Sequence, residues 1–160
     1  MKGAHTLVKT FAQLGVDVCF ANPGTTEMPL VEAMDAIGGI RPVLCVFEGV
    51  CTGAADGYGR MTGRPAMVLL HLGPGLANGI ANLHNARRAR TPMLVVVGEH
   101  ATWHRKYDPP LAMDIEALAG TFSGWQRTTA RTADILKDAT EAVYKAGQGQ
   151  ISTLILPYDL

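Results

Sequence analysis

Glu48 stands between an apolar run, residues 43–47, and a segment of small residues, Gly49-Val50-Cys51-Thr52-Gly53-Ala54-Ala55-Asp56-Gly57-Tyr58-Gly59-Arg60. The apolar run reads as a strand and the small residues as the helix that follows it. A helix with so little side-chain bulk lets another backbone or a flat ligand come close. A carboxylate in its first turn lies in the positive field of the helix N-terminus. Two readings fit that placement, a functional carboxylate and a helix cap.

Other residues able to do chemistry also sit just after apolar runs. Asn22-Pro23-Gly24-Thr25-Thr26-Glu27 follows the first run, His71-Leu72-Gly73-Pro74-Gly75 the third, and Gly98-Glu99-His100 the fourth. In an open parallel sheet, ligands bind outside the carboxyl ends of the strands, which is where these residues would lie. An imidazole at the position of His71 suits acid–base work; a strand-end histidine satisfied by a backbone group is the alternative. The stretch from Gly73 to Gly79, followed about 20 residues on by Glu99, also has the form of a dinucleotide fingerprint. A phosphate cradle or a plain tight turn would use the same glycines. His100 and His104 are spaced i,i+4, but the surrounding residues read as loop with no carboxylate partner, so no metal ligand is assigned.

The elements that must position these groups alternate. Ala4, Leu7, Val8, Phe11 and Leu14 recur at helical spacing and stop at Gly15. Strands are predicted at 16–20, 43–47, 66–71, 93–97 and 152–156. Helices are predicted from a Thr26 cap to Gly38-Gly39, then at about 48–61, 76–89 and 133–146. Runs such as Leu94-Val95-Val96-Val97 do not alternate in polarity, so both sheet faces are expected to be covered. The longest irregular stretch, 99–110, includes Tyr107-Asp108-Pro109-Pro110 and reads as functional or interfacial.

Composition narrows the function. The 160 residues form one domain, 48% hydrophobic and 18% charged, with 14 basic and 14 acidic side chains and a net charge of zero. That balance offers no electrostatic footprint for nucleic acid or an anionic membrane surface. No apolar run approaches the roughly 20 residues that cross a bilayer, and no signal-peptide pattern opens the sequence. The three cysteines, Cys19, Cys45 and Cys51, lack CxxC spacing. They read as buried thiols in a reducing cytoplasm, with Cys19 and Cys45 inside strands.

In order and spacing, Ala21 to Glu27, Phe47-Glu48-Gly49 with Ala54 to Arg60, Gly73-Pro74-Gly75 and Asn78-Gly79 resemble one family. It is the N-terminal pyrimidine-binding (PYR) domain of thiamine-diphosphate enzymes, in particular the acetolactate synthase large subunits and benzoylformate decarboxylase-like members. The resemblance covers essentially the whole chain. It implies an α/β domain, a doubly wound six-stranded parallel sheet with helices on both faces, the sixth strand lying near 125–128. It implies that Glu48 hydrogen-bonds the pyrimidine ring nitrogen of thiamine diphosphate. That bond favours the imino tautomer, whose exocyclic nitrogen takes the proton from the thiazolium carbon.

The resemblance also implies cofactor contacts from Pro23, Gly24, Gly73, Pro74, Gly75 and Asn78. Thr25 and His71 would face the substrate, with His71 also moving protons. Gly73-Pro74-Gly75 looks synthase-like while Thr25 and His71 look decarboxylase-like, and Phe47 stands where the synthases often have His. The keto acid and the product therefore stay open. In this family Mg2+ and the diphosphate are held by a second domain carrying Gly-Asp-Gly, which does not occur in this sequence. The expectation is an active site shared with a diphosphate-binding domain or subunit of a cytoplasmic homo-oligomer, the chain being a split subunit or a piece of a longer polypeptide. FAD is compatible but not indicated. The alternatives are a non-catalytic scaffold or regulatory module, and a dinucleotide-binding domain using the 73–79 loop.

Overall fold

A computed structural model describes residues 3–160, in which helices and strands alternate from end to end. The order is α1 (Gly3–Gln13), β1 (Val18–Asn22), α2 (Met28–Ile37), β2 (Arg41–Leu44), α3 (Glu48–Thr62), β3 (Ala66–His71), α4 (Leu72–Ala89), β4 (Met93–Glu99), α5 (Ile115–Gly120), β5 (Trp125–Thr128), α6 (Ile135–Ala146) and β6 (Ile151–Pro157). The strands form one six-stranded sheet in the order β2-β1-β3-β4-β6-β5, every neighbouring pair parallel. The chain runs outward from β1 to β2, then crosses back to β3 on the other side of β1. That reversal opens a crevice between the carboxyl ends of β1 and β3.

Strand alternation feeds two separate cores. Met67 and Leu69 of β3, with Leu94 and Val96 of β4, point to the face covered by α1, α2 and α6 through Leu7, Phe11, Leu30, Met34 and Ile135. Val68, Leu70, Val95 and Val97 point the other way, to Cys51, Ala55, Leu76, Leu83 and Ile115 of α3, α4 and α5. The expected doubly wound, two-sided architecture is the one observed, and β5 lies where the resemblance implied.

Several boundaries differ from expectation, each for a local reason. The strand expected at 43–47 ends at Leu44: β2 is an edge strand pairing only with β1, and its last register partner is Ala21. Cys45 makes one more backbone bond to Ala21 O (2.9 Å), after which Val46 is left 94% exposed. Cys45 therefore follows the strand rather than sitting in it. The first strand begins at Val18 rather than at residue 16 and extends to Asn22. Thr26 does not cap α2. It lies in a 3-10 turn, Thr25–Glu27, and α2 starts at Met28 with Pro29 in its first turn. Helix α4 begins at Leu72 rather than at residue 76, so Gly73-Pro74-Gly75 form a helical turn. A proline there costs little, because first-turn N–H groups have no intrahelical acceptor. Helix α5 was not anticipated.

The three cysteines are free and buried. Burial, with Cys45 alongside, pushes the Cys51 thiol up to about 12, and burial raises Cys19 as well.

The small residues of α3 and α4 let each helix hydrogen-bond to a backbone carbonyl of the other. The buried Thr52 hydroxyl lies 3.1 Å from the Gly79 carbonyl of α4, and Asn82 Nδ2 donates to the Gly49 carbonyl at 2.7 Å. A Cβ on Gly79 would stand 2.8 Å from Thr52 Cγ2. What comes close to the thin-sided helix is thus another helix. Gly59 marks its other end, where a Cβ would meet Thr91 Cγ2 at 2.5 Å and Pro92 O at 2.8 Å, whereas Gly57 faces open space. Gly57→Ala should therefore stabilise the chain by about 0.5–1 kcal/mol through helix propensity. Gly59→Ala should destabilise it by about 1–3 kcal/mol through overpacking. Urea midpoints of the two variants check the opposite signs.

Candidate functional site

Beyond Asn22 the chain passes through Pro23 and Gly24 into the Thr25–Glu27 turn, which lies over the carboxyl ends of β3 and β4. Glu27 is 0% exposed there, yet its carboxylate is well supplied with donors. The Thr26 hydroxyl donates to Oε1, the Gly24 N–H donates to Oε2 at 2.7 Å, and His71 Nδ1 lies 2.8 Å from Oε2. His71 ends β3 with its side chain 23% exposed. Its ring rests on Gly24, where any Cβ would overlap it. Gly98, beside His71 in β4, leaves the space that Oε1 of Glu27 fills.

Glu48 approaches from the other side of β1. It is the first residue of α3 and half-buried, with Phe47 in extended conformation before it. Asn78 Nδ2 donates to Glu48 Oε2 at 3.1 Å, while Oε1 takes no hydrogen bond from the described residues. A Cβ built on Gly75 would stand 3.5 Å from Glu48 Oε1 and 3.6 Å from His71 Cβ. The bare first turn of α4 is therefore the floor that the two side chains share.

Of the sequence-predicted residues, Glu48, His71, Gly75 and Asn78 come together here, with Gly24 beneath the imidazole. Pro23 and Pro74 are half-buried at the margin. Gly73 is turned away toward Met113, whose side chain a Cβ would overlap. Thr25 is exposed and lines a separate cavity of about 420 Å3 with Thr26, His100, His104 and Tyr158. His100 and His104 meet edge to face, with centroids 5.5 Å apart, and Trp103 stacks on His104. Among the described residues no group of three potential ligands could hold a metal ion.

The dinucleotide alternative is not favoured. Its glycines are wound into a helix, and Glu99 is buried, with Oε1 accepting the His100 N–H at 2.7 Å and Oε2 lying 3.6 Å from Arg105 Nε. Sequence reasoning placed Thr26, Glu27 and Gly98 at strand ends but missed that they join in one cluster around His71. Its only signal is an acid two residues after a Gly-Thr step at a strand end, with a glycine at the end of another strand.

The class of protein follows from a match of residues 1–126, on this doubly wound parallel sheet, to the thiamine pyrophosphate enzyme, N-terminal TPP binding domain. The chain belongs to that family. It is 63% identical over 161 residues to a Mycobacterium tuberculosis protein named "Putative acetolactate synthase large subunit IlvX", covering 100% of this chain and 31% of the relative. It is 30% identical over 163 residues to the benzoylformate decarboxylase of Pseudomonas aeruginosa, covering 99% of this chain and 30% of that one. A solved structure, the thiamine diphosphate-dependent 4-hydroxybenzoylformate decarboxylase of Rhodococcus jostii, superposes with a TM-score of 0.93 at 24% identity, over 99% of this chain and 30% of the other, and speaks to the fold. The chain thus spans less than a third of the length of these relatives.

The slot at Gly98 gives a direct test of the cluster. Gly98→Ala would drive a methyl group into the buried Glu27 carboxylate and should lower stability by about 1–3 kcal/mol. A urea midpoint equal to that of the parent chain would show that Glu27 does not occupy the space beside β4.

Proposed function

We propose that this chain is the pyrimidine-binding part of a thiamine-diphosphate-dependent 2-keto-acid decarboxylase or carboligase, with Glu48 engaging the cofactor's pyrimidine. Family membership supports the cofactor class. The observation that carries the residue assignment is the Glu48 carboxylate, one oxygen held by Asn78 and the other unpartnered beside the bare Gly75 turn. Such an oxygen suits a ring nitrogen that shares a proton, and the unadorned floor suits a flat ring. Bound there, thiamine diphosphate supplies an electron sink for carbon dioxide loss from a 2-keto acid.

The chain's own residues divide the remaining work. Glu48 Oε1 offers the position at which a proton would be shared with the ring nitrogen. Asn78 fixes the rotamer, and Gly75 keeps side chains out of the space between Glu48 and His71. His71 serves proton transfers to and from the substrate. Pro23, Gly24 and Pro74 complete the wall, whereas Gly73 lies under Met113 and Thr25 faces the neighbouring cavity. Mg2+ and the diphosphate are assigned to a domain or subunit outside these residues, in keeping with relatives about three times as long. Exposed apolar side chains flanking Glu48, namely Leu44, Val46, Phe47 and Val50, support a neighbour at this edge. The setting is a cytoplasmic homo-oligomer, without flavin as part of the assignment; among the described residues no helix is long and apolar enough to cross a membrane.

Glu48→Gln in the complete enzyme tests the reading. Glutamine keeps the size but cannot share the proton, so deuterium exchange at the thiazolium carbon, followed by NMR, should slow by roughly 10²–10⁴-fold. Cofactor affinity should change far less, and His71→Ala should leave that exchange nearly intact. The chain alone, with Mg2+ and thiamine diphosphate, should not turn over pyruvate or benzoylformate. Exchange in the Glu48→Gln enzyme as fast as in the parent would make Glu48 a helix cap and end the assignment.

A further inference from the structure

We infer that Glu27 is a positioning residue for His71: its buried carboxylate holds the imidazole as the Nδ1–H tautomer and leaves Nε2 as an open lone pair. A carboxylate removed from water must be fully supplied with donors, since an uncompensated buried charge is very costly. Ionised, it accepts only. Oε2 already takes the Gly24 N–H, and Oε1 takes the one proton of the Thr26 hydroxyl. Thr26 Oγ1 lies 3.2 Å from His71 Nδ1 as well, but its hydrogen is committed to Glu27 by the shorter contact. The atom left facing Oε2, at 2.8 Å, is His71 Nδ1, and an acceptor there requires Nδ1 to carry the hydrogen. Nε2 makes no hydrogen bond with the described residues.

The backbone around the pair is cut to admit it. A Cβ at Gly24 would overlap the His71 ring, and one at Gly98 would overlap Glu27 Oε1 and stand 2.7 Å from Thr26 Oγ1. Neither glycine adopts a positive φ, so neither position requires glycine for its backbone conformation. Both are glycine where space for the pair demands it. A carboxylate behind one ring nitrogen, fixing which nitrogen is the base, is the general device by which proteins orient a histidine. That His71 then moves protons for a substrate rests on the function proposed above; its tautomer does not.

Histidine-selective 15N NMR of the chain, recorded over a pH series that includes the neutral imidazole, reads the tautomer directly. The expected result is a protonated, pyrrole-type Nδ1 and a pyridine-type Nε2 for His71, assigned by its loss in His71→Ala. Glu27→Leu, similar in size but without an acceptor, should release the ring to the Nε2–H form that unconstrained imidazole favours. A parent chain already in the Nε2–H form overturns the inference and needs no variant. So does a folded Glu27→Leu chain that keeps the Nδ1–H form. An Nδ1–H signature alongside a Glu48→Gln enzyme with unaltered exchange would sink the cofactor reading and leave this one standing.

Discussion

The close approach of α3 to α4 is the constraint on which the site depends. With Gly79 beneath Thr52 and Gly49 beneath Asn82, the two helices meet through hydrogen bonds to each other's backbone carbonyls. That contact fixes the first turn of α3 against the first turn of α4. Glu48 can then reach Asn78, and only Gly75 separates it from His71. A side chain at Gly79 would press on Thr52 and push the helices apart, drawing the Glu48 carboxylate away from Asn78. Helix propensity favours alanine over glycine here, so the tertiary contact outweighs the local preference.

Two glutamates sit at the same edge of the sheet in opposite environments. Glu27 is sealed from solvent and supplied by a hydroxyl, a backbone N–H and an imidazole. Glu48 is half-buried with a single side-chain donor, and its Oε1 takes no hydrogen bond from the described residues. The two carboxylates are thus placed in contrasting environments, one engaged through both oxygens and the other through one. His71 lies between them, tied to Glu27 through Nδ1 and sharing the Gly75 floor with Glu48.

The irregular segment after β4 closes the other flank. Thr102 bonds Asp159 through its backbone N–H (3.1 Å) and its hydroxyl (2.7 Å), and His100 Nε2 lies 3.0 Å from Pro110 O. Met113 then covers Gly73, which removes that glycine from the floor and leaves Gly75 as the bare position.

Periodicity and composition were enough for most of the element order and for the parallel sheet, because these depend on local patterns of apolar, small and turn residues; β5 came from the family resemblance and α5 from neither. The boundaries at Leu44 and Leu72 were beyond them. An edge strand stops where its single partner stops, and a Gly-Pro-Gly run is equally compatible with a loop and with a first helical turn. Glu27, Thr26 and Gly98 were not legible as one site, since Glu27 and His71 are 44 residues apart and meet only through β1, β3 and β4 lying side by side. The sequence by itself determined which residues could carry charge and where the chain must turn. Only the tertiary structure decided which carboxylate would be sealed and which left open, because burial is set by the strands and helices that converge on a position and not by its sequence neighbours.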